Sequence, residues 1–370
     1  MAKEYNGSSD SCFVCATPYQ IIAAVSIAHT FKKKADLYII PDFSCAEEYC
    51  KRISNLGIFS RVSLIDISRF ESYRQKKSRM LYGLGFFFNY LRVNRIVNTI
   101  VGDADYKEIY ISTHHNIGKF ICIYFQKRGA EVIFYDDGEG SYDNPWVYQA
   151  FGLEKFVRTL FFGKKTVEFS KNRMLYSPEL FVKEFGDSYN VTAIPNWSKD
   201  NELLRLVNLV CGYNEKARID NRFILLDTIP SSEFDSNGQL VYEQLIDKCV
   251  EILGKDLIIK KHPRDNRIPK SGCEYYAFSD IPFEVICANS DIENKVLLSS
   301  SSTAIFTPKM LFDLEPDVIM LRHIAGGNDD NSKRDRFASH IRDLYRDKDK
   351  FTVPETIDEL TDVLESLKLG

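Results

Sequence analysis

Apolar runs of four or five residues recur in the first and last parts of the chain, each closed by a polar or glycine-bearing stretch. Runs of this length without polar alternation predict parallel strands buried on both faces. In the first part they are Cys12–Ala16, Leu37–Ile40, Val62–Ile65, Glu108–Ser112 and Val132–Tyr135. Between them, apolar residues at helical spacing predict helices over Ile21–Phe31, Ala46–Leu56 and Ile117–Lys127. The pattern loosens from Asp143 to Asn221, with one apolar-rich helix near Leu203–Val210, and this region reads as the end of a first domain and a crossing linker. It restarts with strands at Phe223–Asp227, Asp256–Lys260, Lys295–Leu298 and Asp317–Leu321. The intervening helices are Gln239–Leu253, with Val241, Leu245, Cys249 and Ile252 on one face, a short one opening at Ile281, then Ala304–Leu311 and Glu355–Leu367. Alternating strands and helices predict two α/β domains, 1–195 and 196–370, each a parallel sheet with helices on both faces, facing each other across a cleft.

Composition narrows the class. At 370 residues the chain exceeds one ordinary core, in keeping with two domains. The net charge of -4 gives no reason to expect a nucleic-acid partner. Nine cysteines, an odd number without a paired ligand spacing, read as reduced core thiols of a cytoplasmic protein. The start of the sequence lacks the basic-then-apolar plan of a signal peptide, and no apolar stretch is long enough to span a membrane. Two basic, aromatic segments, Arg74–Arg95 and Phe156–Lys165, have the composition of membrane-surface contacts at the inner face of the cell membrane. The first, through Leu81–Tyr90, is equally a candidate homodimer interface.

The candidate chemistry lies where the predicted strands end. Asp136-Asp137-Gly138 follows the Val132–Tyr135 strand, and in open α/β sheets that edge is where ligands bind. Two adjacent acids there repel, which poises one of them to take a proton. Thr17-Pro18 has the chemistry of a helix start directly after a strand, a natural anion site. His114 and His115 end another strand and can meet a substrate carboxylate. In the second part, His262 ends a strand, is fixed by Pro263 and stands among Lys260, Lys261 and Arg264. Ser299–Thr303 sits between a strand and a helix and offers hydroxyl and backbone donors to a phosphate. Glu284 stands at a helix start, able to accept from ribose hydroxyls. Asp103-Ala104-Asp105 has a carboxylate pattern by which some enzymes hold a metal, but it precedes a strand and reads as a turn. No metal site and no cofactor are expected.

The set Tyr135-Asp136-Asp137-Gly138, Lys261-His262-Pro263, Ile281-Pro282-Phe283-Glu284-Val285 and Ser301-Ser302, in that order, resembles the bacterial sialyltransferases. With Thr17-Pro18-Tyr19-Gln20 and the chain length, it looks most like glycosyltransferase family 52, the lipooligosaccharide sialyltransferases. The resemblance implies a GT-B fold and inverting, metal-independent transfer of sialic acid from CMP-sialic acid to a sugar hydroxyl, galactose first among acceptors, on a bacterial surface glycan such as lipooligosaccharide or capsule. By the same resemblance Asp136 is the general base, with Asp235 its rival from the loop ahead of the His-Pro strand. His262, Ser301 and Ser302 then assist the departing phosphate, Glu284 holds the CMP ribose, and Asp137, Gly138, Thr17, His115 and Pro263 contact substrate. Two other readings use the same pocket: transfer of another activated sugar, CMP-Kdo or a nucleotide-glucose, and a nucleotide- or carbohydrate-binding protein without a base.

Overall fold

The computed structural model describes residues 9–67, 90, 92–112, 115–143, 148–167, 170–229, 234–262, 265, 267–270, 272–325 and 331–369. The chain divides into two compact units, Met1–Val210 and Cys211–Gly370. Each contains one parallel sheet.

The N-terminal unit has seven strands: β1 (Ser11–Cys15), β2 (Ala35–Ile39), β3 (Arg61–Leu64), β4 (Glu108–Ile111), β5 (Glu131–Tyr135), β6 (Asn172–Leu175) and β7 (Asn190–Ala193). Their order is β3-β2-β1-β4-β5-β6-β7. Every pairing is parallel, with Cys12 opposite both Asp36 and Ile109. The chain builds outward from β1 to β3 and then returns to the other side of β1, so β1 and β4 flank the switch point of this sheet. Both faces are covered. Cys12, Val14, Ile109 and Ile111 pack on the Asn116–Gln126 and Val93–Val101 helices, while Phe13 stacks on Tyr110 on the other face, ring centroids 4.4 Å apart. Burial on both sides is why these strands read as unbroken apolar runs.

The helix expected near Leu203–Val210 is present as Asn201–Cys211, but the stretch before it, read as irregular, is ordered into the sheet. It holds helices Gly152–Phe162 and Pro178–Phe185 and the strands β6 and β7. These strands are missing the apolar signal because β7 is largely exposed and β6 buries an arginine, Arg173, whose guanidinium lies over the Phe134 ring at 4.5 Å. The helix Val93–Val101 was not anticipated either. Nearly all of the basic segment before it lies outside the described residues.

The C-terminal unit has β8 (Phe223–Leu226), β9 (Leu257–Lys260), β10 (Val296–Ser299), β11 (Asp317–Met320) and β12 (Phe351–Thr352), in the order β12-β11-β10-β8-β9. All are parallel, and β8 and β10 flank its switch point. The Ser236–Leu253 and Ile357–Leu369 helices cover one face through Tyr242, Leu245, Cys249, Leu360 and Leu364. Ala304–Leu311 resolves into a 3-10 turn, Thr303–Phe306, and a helix, Thr307–Phe312, because Pro308 has no N–H to continue a helix and fits only a first turn. All nine cysteines are free thiols. Among the described residues no helix is long and apolar enough to cross a membrane.

Candidate active site

In the N-terminal unit, Thr17, His115 and the acidic motif leave the carboxyl ends of β1, β4 and β5, which are neighbours in the sheet. Thr17 Oγ1 caps the Pro18–Thr30 helix by accepting from the Gln20 N–H at 3.2 Å. His115 Nδ1 does the same for the Asn116–Gln126 helix, accepting from Ile117 N–H at 3.2 Å. Both residues therefore mark helix N-termini aimed at the strand edge, where partial positive charge gathers. The Thr-Pro-Tyr-Gln stretch has a further use that its sequence did not disclose. Tyr19 donates its hydroxyl to Asp136 Oδ1 at 3.0 Å, and Gln20 Oε1 accepts from Ala16 N–H at 2.6 Å.

Asp136 is fully buried and accepts four hydrogen bonds. Oδ1 takes Tyr19 Oη–H and the Gly138 N–H at 2.8 Å, while Oδ2 takes Tyr142 Oη–H and the Tyr176 N–H at 3.1 Å. Burial raises its pKa above the usual carboxylate range, against the four donors, which favour the anion. Gly138 sits at φ 85°, a left-handed conformation that lets its N–H turn back onto Asp136. Asp137 is half-buried, and its N–H donates to Ser141 Oγ at 2.7 Å. The pair is thus split, one carboxylate sealed inside the loop and the next reaching solvent.

In the C-terminal unit the donor-rich edge lies at the switch point. Ser299 Oγ donates to Leu226 O at 2.9 Å and accepts from Ser302 N–H at 3.0 Å. Ser301 Oγ and Thr228 Oγ1 are 2.8 Å apart, joining the ends of β10 and β8. His262, half-buried, follows β9, which lies on the other side of β8 from β10. Pro263 lies outside the described residues. Asp235 is exposed and caps the Ser236–Leu253 helix, accepting from Gly238 N–H at 2.8 Å.

Glu284 is buried in the first turn of the Phe283–Asn289 helix, where burial raises its pKa against the opposing charge of Lys260 and a hydrogen bond with Thr307. Lys260 is itself buried at the end of β9, over the Tyr276 ring, and burial lowers its pKa to about 8. Its place beside Glu284 was not visible as a site feature from the sequence. Nor was Asp227, which follows β8 as Asp136 follows β5. Asp227 accepts from Tyr242 Oη–H, Thr228 N–H and Arg267 Nη2–H, each at 2.8 Å, and Arg267 also bonds Asp265 and Thr228 O. The signal was available: Phe223-Ile224-Leu225-Leu226-Asp227 repeats the plan of the first acidic strand end. Asp103 and Asp105 lie exposed in the turn before β4, as their position predicted. Among the described residues no cluster of His, Cys, Asp or Glu has the geometry of a metal site.

Solved structures share the fold. The UDP-GlcNAc 2-epimerase of Methanocaldococcus jannaschii aligns over 96% of this chain and 92% of its own at 12% identity, with a TM-score of 0.52. The S. aureus MnaA complex with UDP aligns over 97% and 88% at 8% identity and TM-score 0.54. LpCGTa bound to UDP aligns over 98% and 91% at 9% identity and TM-score 0.53. At these identities the likeness shows the fold alone, the GT-B class of two parallel-sheet α/β domains. No curated protein sequence matches the chain.

One family model, alpha-2,8-polysialyltransferase (POLYST), matches residues 11–320, from the start of β1 to the end of β11. That span takes in every motif that resembled the sialyltransferases. It supports the resemblance at the level of sialyltransferases and does not show family 52 or a lipooligosaccharide acceptor. The chain belongs to the alpha-2,8-polysialyltransferase family.

Proposed function

We propose that the protein is an inverting sialyltransferase that moves sialic acid from CMP-sialic acid to the terminal sugar of a bacterial surface glycan, without a metal. The N-terminal unit holds the acceptor and the C-terminal unit the CMP-sugar. The observation that carries the donor assignment is the cluster of hydroxyl and N–H groups where β8 and β10 part, at Thr228 and Ser299–Ser302, one strand from His262. Such a cluster at a switch point suits a phosphate. Glu284 and Lys260, both buried, are assigned to the ribose and base of the nucleotide.

The chemistry follows from the charges. The bond between the anomeric carbon and the phosphate breaks through an oxocarbenium-like state, leaving negative charge on CMP that protonated His262 and the serine donors stabilise. The acceptor hydroxyl bonds to the opposite face of that carbon and gives its proton to a carboxylate of the Asp136–Asp137 pair. Burial moves Asp136 toward the working pH, as a base requires, while Asp137 has the exposure. Asp235 is the third candidate. The family description supports a sialic-acid-terminated acceptor and an alpha-2,8 linkage. A galactose-terminated acceptor, as in lipooligosaccharide, is the competing arm.

The test is CMP release from CMP-sialic acid with EDTA present, using oligosialic acid and a galactoside as separate acceptors. Sialylation of the oligosialic acid is the expected result. Turnover of CMP-Kdo or a nucleotide-glucose in place of CMP-sialic acid would move the assignment to another donor. CMP binding without turnover of any donor would reduce the protein to a binding module.

A further inference from the structure

The Gly152–Phe162 helix is built the wrong way round for a surface helix. Its inner face is already occupied: Val157 and Phe162 are buried, Phe162 against Tyr90, and the Arg158 guanidinium is 2% exposed, donating to Tyr148 O and Thr166 O. The helix's lone acid, Glu154, is held by Tyr90, Lys119 and Arg158. Yet the outer face is apolar. Phe156 and Leu160, one turn apart, are 64% and 65% exposed, and Phe151 and Phe161 at the two ends are 65% and 47% exposed. Four large apolar side chains exposed within eleven residues are far from the scatter normal on a water-facing surface.

Among the described residues of this helix and the turn that follows it, every exposed charged side chain is a lysine. Lys155, Lys164 and Lys165 are exposed, and Lys127 adds a fourth amine beside them, donating to Phe161 O at 3.3 Å. No acid occurs from Lys155 to Val167. The bond from Arg158 to Thr166 O fixes the Lys164–Thr166 turn against the helix, so the two lysines are displayed at its end. We propose that this face docks on an anionic lipid surface, with Phe151, Phe156, Leu160 and Phe161 entering the acyl boundary and the lysines meeting the headgroups. A helix in this role lies in the plane of the interface. Apolar contact alone would suit a protein partner; the exposed lysines that fringe it select an acidic bilayer.

The experiment is co-sedimentation of the full chain with phosphatidylcholine vesicles, with and without about a third phosphatidylglycerol. Binding should require the anionic lipid and weaken with salt. The double variant Phe156→Glu/Leu160→Glu should lower partitioning by at least about tenfold. Lys164→Glu/Lys165→Glu should lower it by a similar factor, each lysine near such a surface being worth roughly fivefold. These side chains are exposed, so melting temperature and turnover of a soluble acceptor should not move. Should the apolar double fail to fold, the lysine double carries the test. A wild-type chain that ignores anionic vesicles overturns the proposal, as do variants that sediment like wild type. Light scattering that finds a dimer dispersed by the Phe156 and Leu160 changes, without vesicle binding, hands the face to a second copy of the chain.

Discussion

Asp136 and Lys260 show how burial gives an ionisable side chain a purpose at a cost. Asp136 receives donors from the Pro18–Thr30 helix, its own turn and the residue after β6, so it ties three parts of the N-terminal unit to one carboxylate. An amide at that position can no longer accept from all four donors. Asp136→Asn should therefore cost about 1–3 kcal/mol of stability, read as an earlier denaturant midpoint. Asp137→Asn should leave that midpoint unchanged. Whichever substitution lowers kcat by about a hundredfold or more, at a temperature where the variant is folded, identifies the base. Loss in neither, with loss in Asp235→Asn, moves the role to the second unit. For Lys260 the folded pKa, about 8, lies below the ordinary 10.5. Folding then opposes the charged form, a penalty that is complete below about pH 8 and relieved between there and 10.5. Lys260→Met should raise stability at pH 7 by about 1–3 kcal/mol, and the gain should vanish as pH approaches the upper value. The same change should weaken CMP binding, the pattern expected where a site residue is retained against stability.

Elements are held to one another by a few polar knots as well as by their apolar faces. In the C-terminal unit Glu315 joins the Thr307–Phe312 helix to the turn before β12, accepting from Lys309 Nζ at 2.6 Å and from Arg346 Nε at 3.1 Å. These donors hold its carboxyl at about 2, well below the usual range, against the burial that would raise it. A depressed folded value means that the stabilisation is whole above about pH 4.5 and is lost as pH falls toward 2. Glu315→Gln should cost about 2 kcal/mol at neutral pH and almost nothing near pH 2, measured by urea titration at both. At the other knot, Asp227 binds Tyr242 from the covering helix and Arg267 from the loop after β9, setting the backbone from which Thr228 meets Ser301.

The molecule as a whole offers a way to test which half takes the nucleotide. Both tryptophans, Trp146 and Trp197, belong to the N-terminal unit. Saturating CMP should raise the unfolding transition followed by far-ultraviolet circular dichroism in its C-terminal component and leave the tryptophan-fluorescence transition in place. A shift confined to fluorescence would put the nucleotide in the other unit.

The sequence by itself determined the α/β class, most central strands and the strand-end location of the candidate chemistry. Strands buried on two faces must be apolar along their whole length, and parallel connections place the following loops at one edge. Tertiary structure alone decided what those loops do. Nothing local announces that Tyr19 and Tyr142 converge on Asp136, that Lys260 lies buried beside Glu284, or that Asp227 and Arg267, forty residues apart, meet. It also decided the edge of the first sheet, because Arg173 can enter β6 only once Phe134, Phe181 and Tyr189 surround it. Periodicity records which side of an element faces the core; it carries no record of which distant side chain completes a buried charge.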